Sequence, residues 1–372
     1  MKEIISQISG NIVDVVERRV YPGTIEISGG RISRIITEHI DYSTYLIPGF
    51  IDSHVHVESS MLTPSEFARV AVIHGTVGAV CDPHEIANVM GIDGVRYMIT
   101  DGDSVPFKFY WGASSCVPAT PFETAGARID ADHVQALLKI DKIKCLSEMM
   151  NFPGVLGNDP EVMAKIDFAK LYKKVIDGHA PGLRGKELEK YISAGISTDH
   201  ECFSKSEALE KIRFGMKIQI REGSAAKNFD ALIPIAKEHA NMCMFCSDDK
   251  HPEDLMVGHI NKMVKKAIHY GVDTIDALRI ASCNPIRHYG LDVGLLQVGD
   301  PADFLVIDNL NDLTILQTSI NGRIVAQDGK TLIEESRKRI VNNFNTQVKR
   351  VHDFVIKDKK RKIHIIEATD GE

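Results

Sequence analysis

No stretch of the 372 residues approaches the roughly 18 uninterrupted apolar residues that a membrane span requires. The opening segment, MKEIISQISG, lacks the apolar run of a signal peptide, so a cytoplasmic protein with no membrane partner is expected. A basic surplus is missing too. The formal charge is -7, with 51 acidic against 44 basic residues, which gives no footing for a nucleic-acid partner. Nor is there a disulfide framework: the seven cysteines are odd in number and scattered over strand-like segments, as suits small buried hydrophobes kept reduced.

What is present suffices for one large core and one smaller one. At 44% hydrophobic content the chain accommodates an α/β barrel of about 250 residues together with an accessory domain. Residues 8–40 carry short alternating runs, NIVDVV, TIEISGG and RISRII, separated by Pro-Gly and Gly-Gly turn signals, and a similar texture returns at 294–330. Two such segments flanking one α/β region predict a discontinuous β-sandwich domain, residues 1–47 and 292–335. Between them, at 48–291, strand-like runs alternate with helical patterns. Strands are expected at 45–51, 77–81, 107–111, 143–147, 174–177, 196–198, 217–220 and 242–246, and helices at 64–74, 132–139, 160–171, 205–214, 228–239 and 251–270. Eight strands with intervening helices imply a closed (β/α)8 TIM-like barrel.

The polar residues fall in a pattern. The apolar run at 45–51 leads into Asp52-Ser53-His54-Val55-His56, and side chains at i and i+2 of a strand share a face, so His54 and His56 can bind one metal ion. At the ends of later strands stand Asp82 with His84 and Glu85, then Glu148, His179, His200 with Glu201, and Asp248 with Asp249. Barrel enzymes place their chemistry on that rim. Four imidazoles and two carboxylates, His54, His56, Glu148, His179, His200 and Asp248, make a binuclear metal site the economical reading. A lone Glu148 after an apolar run would be costly without a cation or a strong hydrogen-bond network.

Single residues admit blander readings. His179 and His200 taken one at a time are satisfied loop histidines, and only their joint position after consecutive strands argues otherwise. Asp248 and Asp249 suit a helix N-terminus; Asp248, directly after the strand, is assigned to the site and Asp249 to supporting the loop. His84 and Glu85 fit the start of a helix over DPHEIANV as well as an accessory network or metal site. His56-Val57-Glu58 with Cys243-Met244-Phe245-Cys246 imitates a cytidine-deaminase zinc signature, but residue 242 is Met where that motif has Pro, and residues three apart on a strand face opposite sides.

With these residues assembled, the chain resembles the amidohydrolase superfamily and, within it, the adenine deaminases. The wider similarity lies in the strand-one H-x-H, single histidines on strands five and six, and an aspartate on strand eight. The closer one lies in PGFIDSHVHVESSM, DPHEIANVMG, SEMMN, DGHAPG and STDHE, with GDPADFLVIDNL as a returning sandwich strand. The resemblance implies hydrolysis of adenine to hypoxanthine and ammonia by hydroxide formed on two divalent cations, manganese first, with iron or zinc as alternatives. Many relatives bridge their metals with a carboxylated lysine; here Glu148 stands in that place. Asp248 would act as general base and then acid, His200 would stabilise or shuttle charge, and Glu58 and Glu201 would contact the purine or orient ligands. A homo-oligomer is expected. Adenine deaminases continue into a further C-terminal domain, and the basic tail, 336–372, reads as its beginning. Hydrolysis of a cyclic amide or imidazolone, and a non-catalytic barrel scaffold, are the competing readings.

Overall fold

The computed structural model describes residues 6–120, 122–335, 340–341, 345–357, 362 and 364–367. Sixteen strands occur among the described residues. Four open the chain: β1 (Gln7–Asp14), β2 (Arg19–Ser28), β3 (Arg31–Thr37) and β4 (Tyr45–Pro48). Eight form the barrel: β5 (Phe50–Val55), β6 (Thr76–Cys81), β7 (Lys108–Ser114), β8 (Ile143–Met149), β9 (Val175–Gly178), β10 (Thr198–Asp199), β11 (Lys217–Arg221) and β12 (Cys243–Cys246). The last four are β13 (Phe304–Ile307), β14 (Ile315–Ile320), β15 (Arg323–Gln327) and β16 (Lys330–Thr331).

The outer sheet has the order β16-β15-β14-β13-β4-β1-β2-β3, so both ends of the chain meet in it. The seam is β4, which pairs parallel with β1 and antiparallel with β13. Its own apolar layer gathers Ile12, Ile25, Ile32, Leu46 and Phe304, each buried apart from the barrel core. This one sheet, with its own core, stands where the sequence predicts a β-sandwich.

In the barrel β5 to β9 pair in parallel, as do β10 to β12. Ser197 N donates to Ile176 O at 2.9 Å and joins the two groups on one side. On the other side a parallel bridge between Val55 and Asp248 closes the ring. Near-continuous burial along β5, β6 and β12 is what a parallel strand covered on both faces requires.

Three expectations change. The run at 45–51 is two strands, not one: Pro48 pairs with Phe304 of the outer sheet and Phe50 with Thr76 of the barrel, so the chain crosses between sheets at Gly49. A Cβ at Gly49 would lie 2.4 Å from Val77 Cγ2, so the crossing needs a residue without a side chain. The helix expected over 228–239 is broken into Phe229–Leu232, a 3-10 turn at Ile233–Ile235 holding Pro234, and Ala236–His239. That expected over 251–270 divides at Gly258 into Pro252–Val257 and Ile260–His269. Further helices, outside the stretches expected to be helical, lie at His84–Met90, Ile92–Gly102, Phe152–Gly157, Gly185–Ser193, Thr274–Ala281 and Cys283–Tyr289. No helix among the described residues is long and apolar enough to cross a membrane. Much of the basic tail, 336–372, lies outside the described residues; within it Val351–Phe354 form a 3-10 turn.

Candidate metal centre

Each residue of the rim is delivered by a strand end. His54 lies in β5, and His56 follows in extended conformation (φ -95°, ψ 100°), so the two imidazoles converge with Nε2 atoms 3.1 Å apart. Asp248 sits two residues past β12 on the seam that closes the barrel. Its N–H donates to His54 O at 2.9 Å and its carbonyl accepts from His56 N at 3.2 Å. The barrel's own closure thereby ties three functional residues together through backbone. Asp248 adopts φ +52°, a strained value for a residue with a Cβ, which the two flanking hydrogen bonds impose.

Glu148, near the end of β8, occupies the middle. Its Oε1 faces His56 Nε2 at 3.3 Å and His84 Nδ1 at 3.1 Å; its Oε2 faces His179 Nδ1 at 2.9 Å and His200 Nε2 at 3.3 Å. One carboxylate thus presents one oxygen to each half of the cluster. Asp248 Oδ1 lies 3.2 Å from His56 Nε2 and 3.6 Å from His54 Nε2. The six residues expected as ligands are therefore gathered in one place. His54, Glu148 and His200 form one group whose donor atoms lie within 4.8 Å of one another, and His54, His56 and Asp248 form a second. Imidazole nitrogens and carboxylate oxygens at that spacing could hold divalent cations, which would take the place of imidazole protons, and without thiolates the set suits manganese, iron or zinc.

The electrostatics agree with a site built for positive charge. Burial, with His200 adding, pushes the His54 imidazole down to about 4, so it is neutral with a lone pair to offer. Burial alone would raise Glu148, but its hydrogen bonds to His179, His200, His56 and His84 outweigh that and hold it well below the carboxylate range. Asp248 is likewise raised by burial and brought well below its ordinary value by His56, with the charge of His200 adding. For His200 burial lowers the imidazole, and Glu148 and Asp248 reverse the direction, raising it to about 9.

His84 and Glu85 open the helix His84–Met90, and their side chains also lie against the cluster. His84 Nδ1 is 3.1 Å from Asp82 Oδ2, and its Nε2 is 2.8 Å from Glu85 Oε1. Glu85 Oε1 lies 3.4 Å from His56 Nδ1. Asp249 turns to the loop, accepting from Ser59 Oγ at 2.5 Å, yet shares a second, outer grouping with His56 and Glu85. Glu58 faces the same helix: Oε1 accepts from Ile86 N at 3.2 Å while Oε2 is buried without a partner. Burial, with Glu85 adding, raises Glu58 to about 8. Glu201 comes within 3.4 Å of His200 Nε2.

Arg221 has no sequence signal. KIQIR reads as an ordinary alternating strand, yet its last side chain is 3% exposed and pairs with both Glu201 and Asp248. Behind the histidines, Asp52 accepts from Ser247 Oγ and meets His259 Nε2 at 2.8 Å. A carboxylate inside a buried strand, two residues before His54, is the one mark of that support in the sequence.

Residues 45–325 match the model of the amidohydrolase family. The chain is 55% identical over 366 residues to an adenine deaminase of Sulfurovum sp., covering 98% of this chain and 68% of that protein. It is 52% identical over 365 residues to an adenine deaminase of Salinibacter ruber, covering 98% and 67%, and 49% identical over 376 residues to one of Methanosarcina mazei, covering 98% and 68%. The chain thus spans about two thirds of the length of these relatives. Among solved structures, a β-aspartyl dipeptidase from Fervidobacterium islandicum superposes with a TM-score of 0.64 at 16% identity, covering 93% of this chain and 100% of that one. An N-acetylglucosamine-6-phosphate deacetylase from Thermotoga maritima gives 0.60 at 16%, covering 87% and 100%. At such identities these two speak for the fold alone.

Proposed function

Because the chain belongs to the amidohydrolase family, we propose that it is a metal-dependent aminohydrolase that converts adenine and water to hypoxanthine and ammonia. The observation that carries this reading is the 55% identity to a protein named adenine deaminase over 98% of the chain, a span that includes every residue of the cluster. His54, His56, Glu148, His179, His200 and Asp248 would hold two divalent cations, Mn2+ first, with Fe2+ or Zn2+ suited to the same donors. Once bound, such cations lower the pKa of water from about 15.7 towards 7.

The residues do the rest. Glu148, with one oxygen turned to each half of the cluster, is the carboxylate that would serve both cations. The water oxygen bonds to C6 of the purine as the C6–N1 π pair shifts onto N1, to return when the amine leaves, and Asp248 Oδ1 accepts the water's proton. When the bond from C6 to the exocyclic nitrogen breaks, the same oxygen returns a proton to the departing amine. Glu201 beside His200 and Glu58 beside the helix His84–Met90 contact ring nitrogens or steady the ligands.

Ammonia release from adenine by the manganese-reconstituted chain tests the reading, with a His54→Ala, His56→Ala protein as the blank. Release in the first and none in the second is expected. An inert wild type with full metal occupancy, or ring opening of a cyclic amide in its place, would sink the assignment of substrate.

A further inference from the structure

Two carboxylates approach the imidazole cluster from different strand ends, and one guanidinium stands between them. Glu201 reaches His200 Nε2 at 3.4 Å through Oε1, and Asp248 reaches His56 Nε2 at 3.2 Å through Oδ1. With Glu148 also present, unpaired buried carboxylates this close would repel and swing apart. Arg221 Nη1 donates to Asp248 Oδ2 at 2.6 Å and to Glu201 Oε1, while Nη2 donates to Glu201 Oε2 at 3.2 Å.

The backbone that carries the guanidinium is held in turn. Arg221 N–H donates to Asn228 Oδ1 at 2.7 Å, and Asn228 Nδ2 donates to His200 O at 2.8 Å, so the strand end bearing the arginine is pinned to the loop bearing the histidine. The Phe203 ring lies 5.9 Å from the guanidinium carbon. A planar fork with fixed donors can bridge two carboxylates in this way; an ammonium on a flexible stem cannot reproduce it.

We propose that Arg221 is a positioning residue of the deamination: by occupying Oδ2 of Asp248 it leaves Oδ1 as the oxygen that meets water and amine, and by clamping both oxygens of Glu201 it sets that carboxylate against His200. The inference rests on the aminohydrolase reading and extends it to a residue outside the metal-donor set. Arg221 supplies no proton itself. It fixes which oxygen of Asp248 does.

The test compares wild type, Arg221→Ala, Arg221→Lys and Asp248→Asn in the full chain, loaded with manganese for kinetics and with cobalt for absorption spectra. Arg221→Ala is expected to lower kcat on adenine by roughly 100-fold, the scale on which a misplacement of about 1 Å acts. KM changes little, bound metal equals wild type, and added guanidinium ion restores part of the rate. The cobalt spectrum of Arg221→Ala moves towards that of Asp248→Asn. An unchanged kcat, or a loss of rate that tracks loss of metal and resists guanidinium, overturns the proposal. If wild type itself releases no ammonia from adenine, the deamination reading falls and the cobalt spectra alone decide: an unaltered spectrum in Arg221→Ala overturns the positioning of Asp248, and a shifted one sustains it. Should Arg221→Ala fail to fold, Arg221→Lys, which keeps the charge and loses the fork, is judged by the same kcat and spectrum.

Discussion

Lys211 is fully buried, and replacing it with methionine isolates what its charge contributes. Its ammonium donates to Ala180 O at 2.7 Å, Glu207 Oε1 at 2.8 Å and Asp199 Oδ2 at 3.0 Å, so all three N–H groups are satisfied. Asp199 in turn accepts from Ala180 N at 2.9 Å and Glu201 N at 3.0 Å. One buried ammonium, paired with two carboxylates, therefore anchors the loops that follow β9 and β10, the loops that carry His179 and His200. Methionine keeps most of the volume, so little of the effect is a cavity. What remains are Asp199 and Glu207 without their shared cation, Asp199 the more deeply buried, a defect worth about 3–5 kcal/mol. At roughly 2 °C per kcal/mol for a chain of this size, the melting temperature should fall by about 6–10 °C.

The pH dependence carries the sign. Burial raises Asp199, but Lys211 and His200 outweigh it and hold the carboxyl below its ordinary value. A depressed carboxylate contributes stability that is present above its unfolded pKa and lost as pH falls through the folded one. Without Lys211 the burial effect has less to oppose it, so the deficit of Lys211→Met is largest near neutral pH and narrows on acidification, as Asp199 takes up a proton. Adding Asp199→Asn to Lys211→Met should recover part of the lost stability. Calorimetric melts of wild type, Asp199→Asn, Lys211→Met and the double variant at two pH values decide the matter. A fall of under about 2 °C, or no recovery with Asp199→Asn, would refute the claim that an unpaired buried charge is the source.

Two further outcomes follow from single contacts. Burial, with Lys217 adding, pushes His288 down to about 4, so its neutral form belongs to the fold; the stability it supports is complete above about pH 6.5 and lost as pH falls towards 4. His288→Gln should lose about 1–2 kcal/mol less than wild type between pH 7 and pH 5 in urea titrations, after discounting for partial exposure; parallel curves would contradict this. Gly49→Ala should cost about 2–4 kcal/mol, because its Cβ meets Val77 Cγ2 at 2.4 Å where the chain changes sheets, and Val77→Ala in the same protein should return most of it.

The barrel was legible because parallel strands covered on both faces leave apolar runs, and those runs end in residues that do not belong in a core. YLIPGFI shows where the same signal misleads. The apolar texture is continuous across Gly49, since β4 and β5 are both buried, and nothing in hydropathy marks a change of sheet. Only the close approach of Val77 explains the glycine, and that is a tertiary fact. The helices at 228–239 and 251–270 were likewise read as single periods, whereas Pro234 and Gly258 interrupt them locally.

The site divides along the same line. Glu148 stands out in sequence because an acid after an apolar run demands a partner, and His54 with His56 because the strand period puts them on one face. DPHEIANV offered two readings because the first turn of a helix and the rim of a barrel favour the same residue types, and His84 with Glu85 opens a helix while lying against the cluster. Arg221 is hidden for the opposite reason. At the end of KIQIR an arginine satisfies the alternation of any half-exposed strand, and its burial follows only from the carboxylates that the two neighbouring strands, β10 and β12, bring beside it. Donors that break a hydrophobic pattern can be found from the chain alone. The charges that neutralise and aim them obey the pattern, and become visible only when Glu201 and Asp248, 47 positions apart in the numbering, meet across one guanidinium.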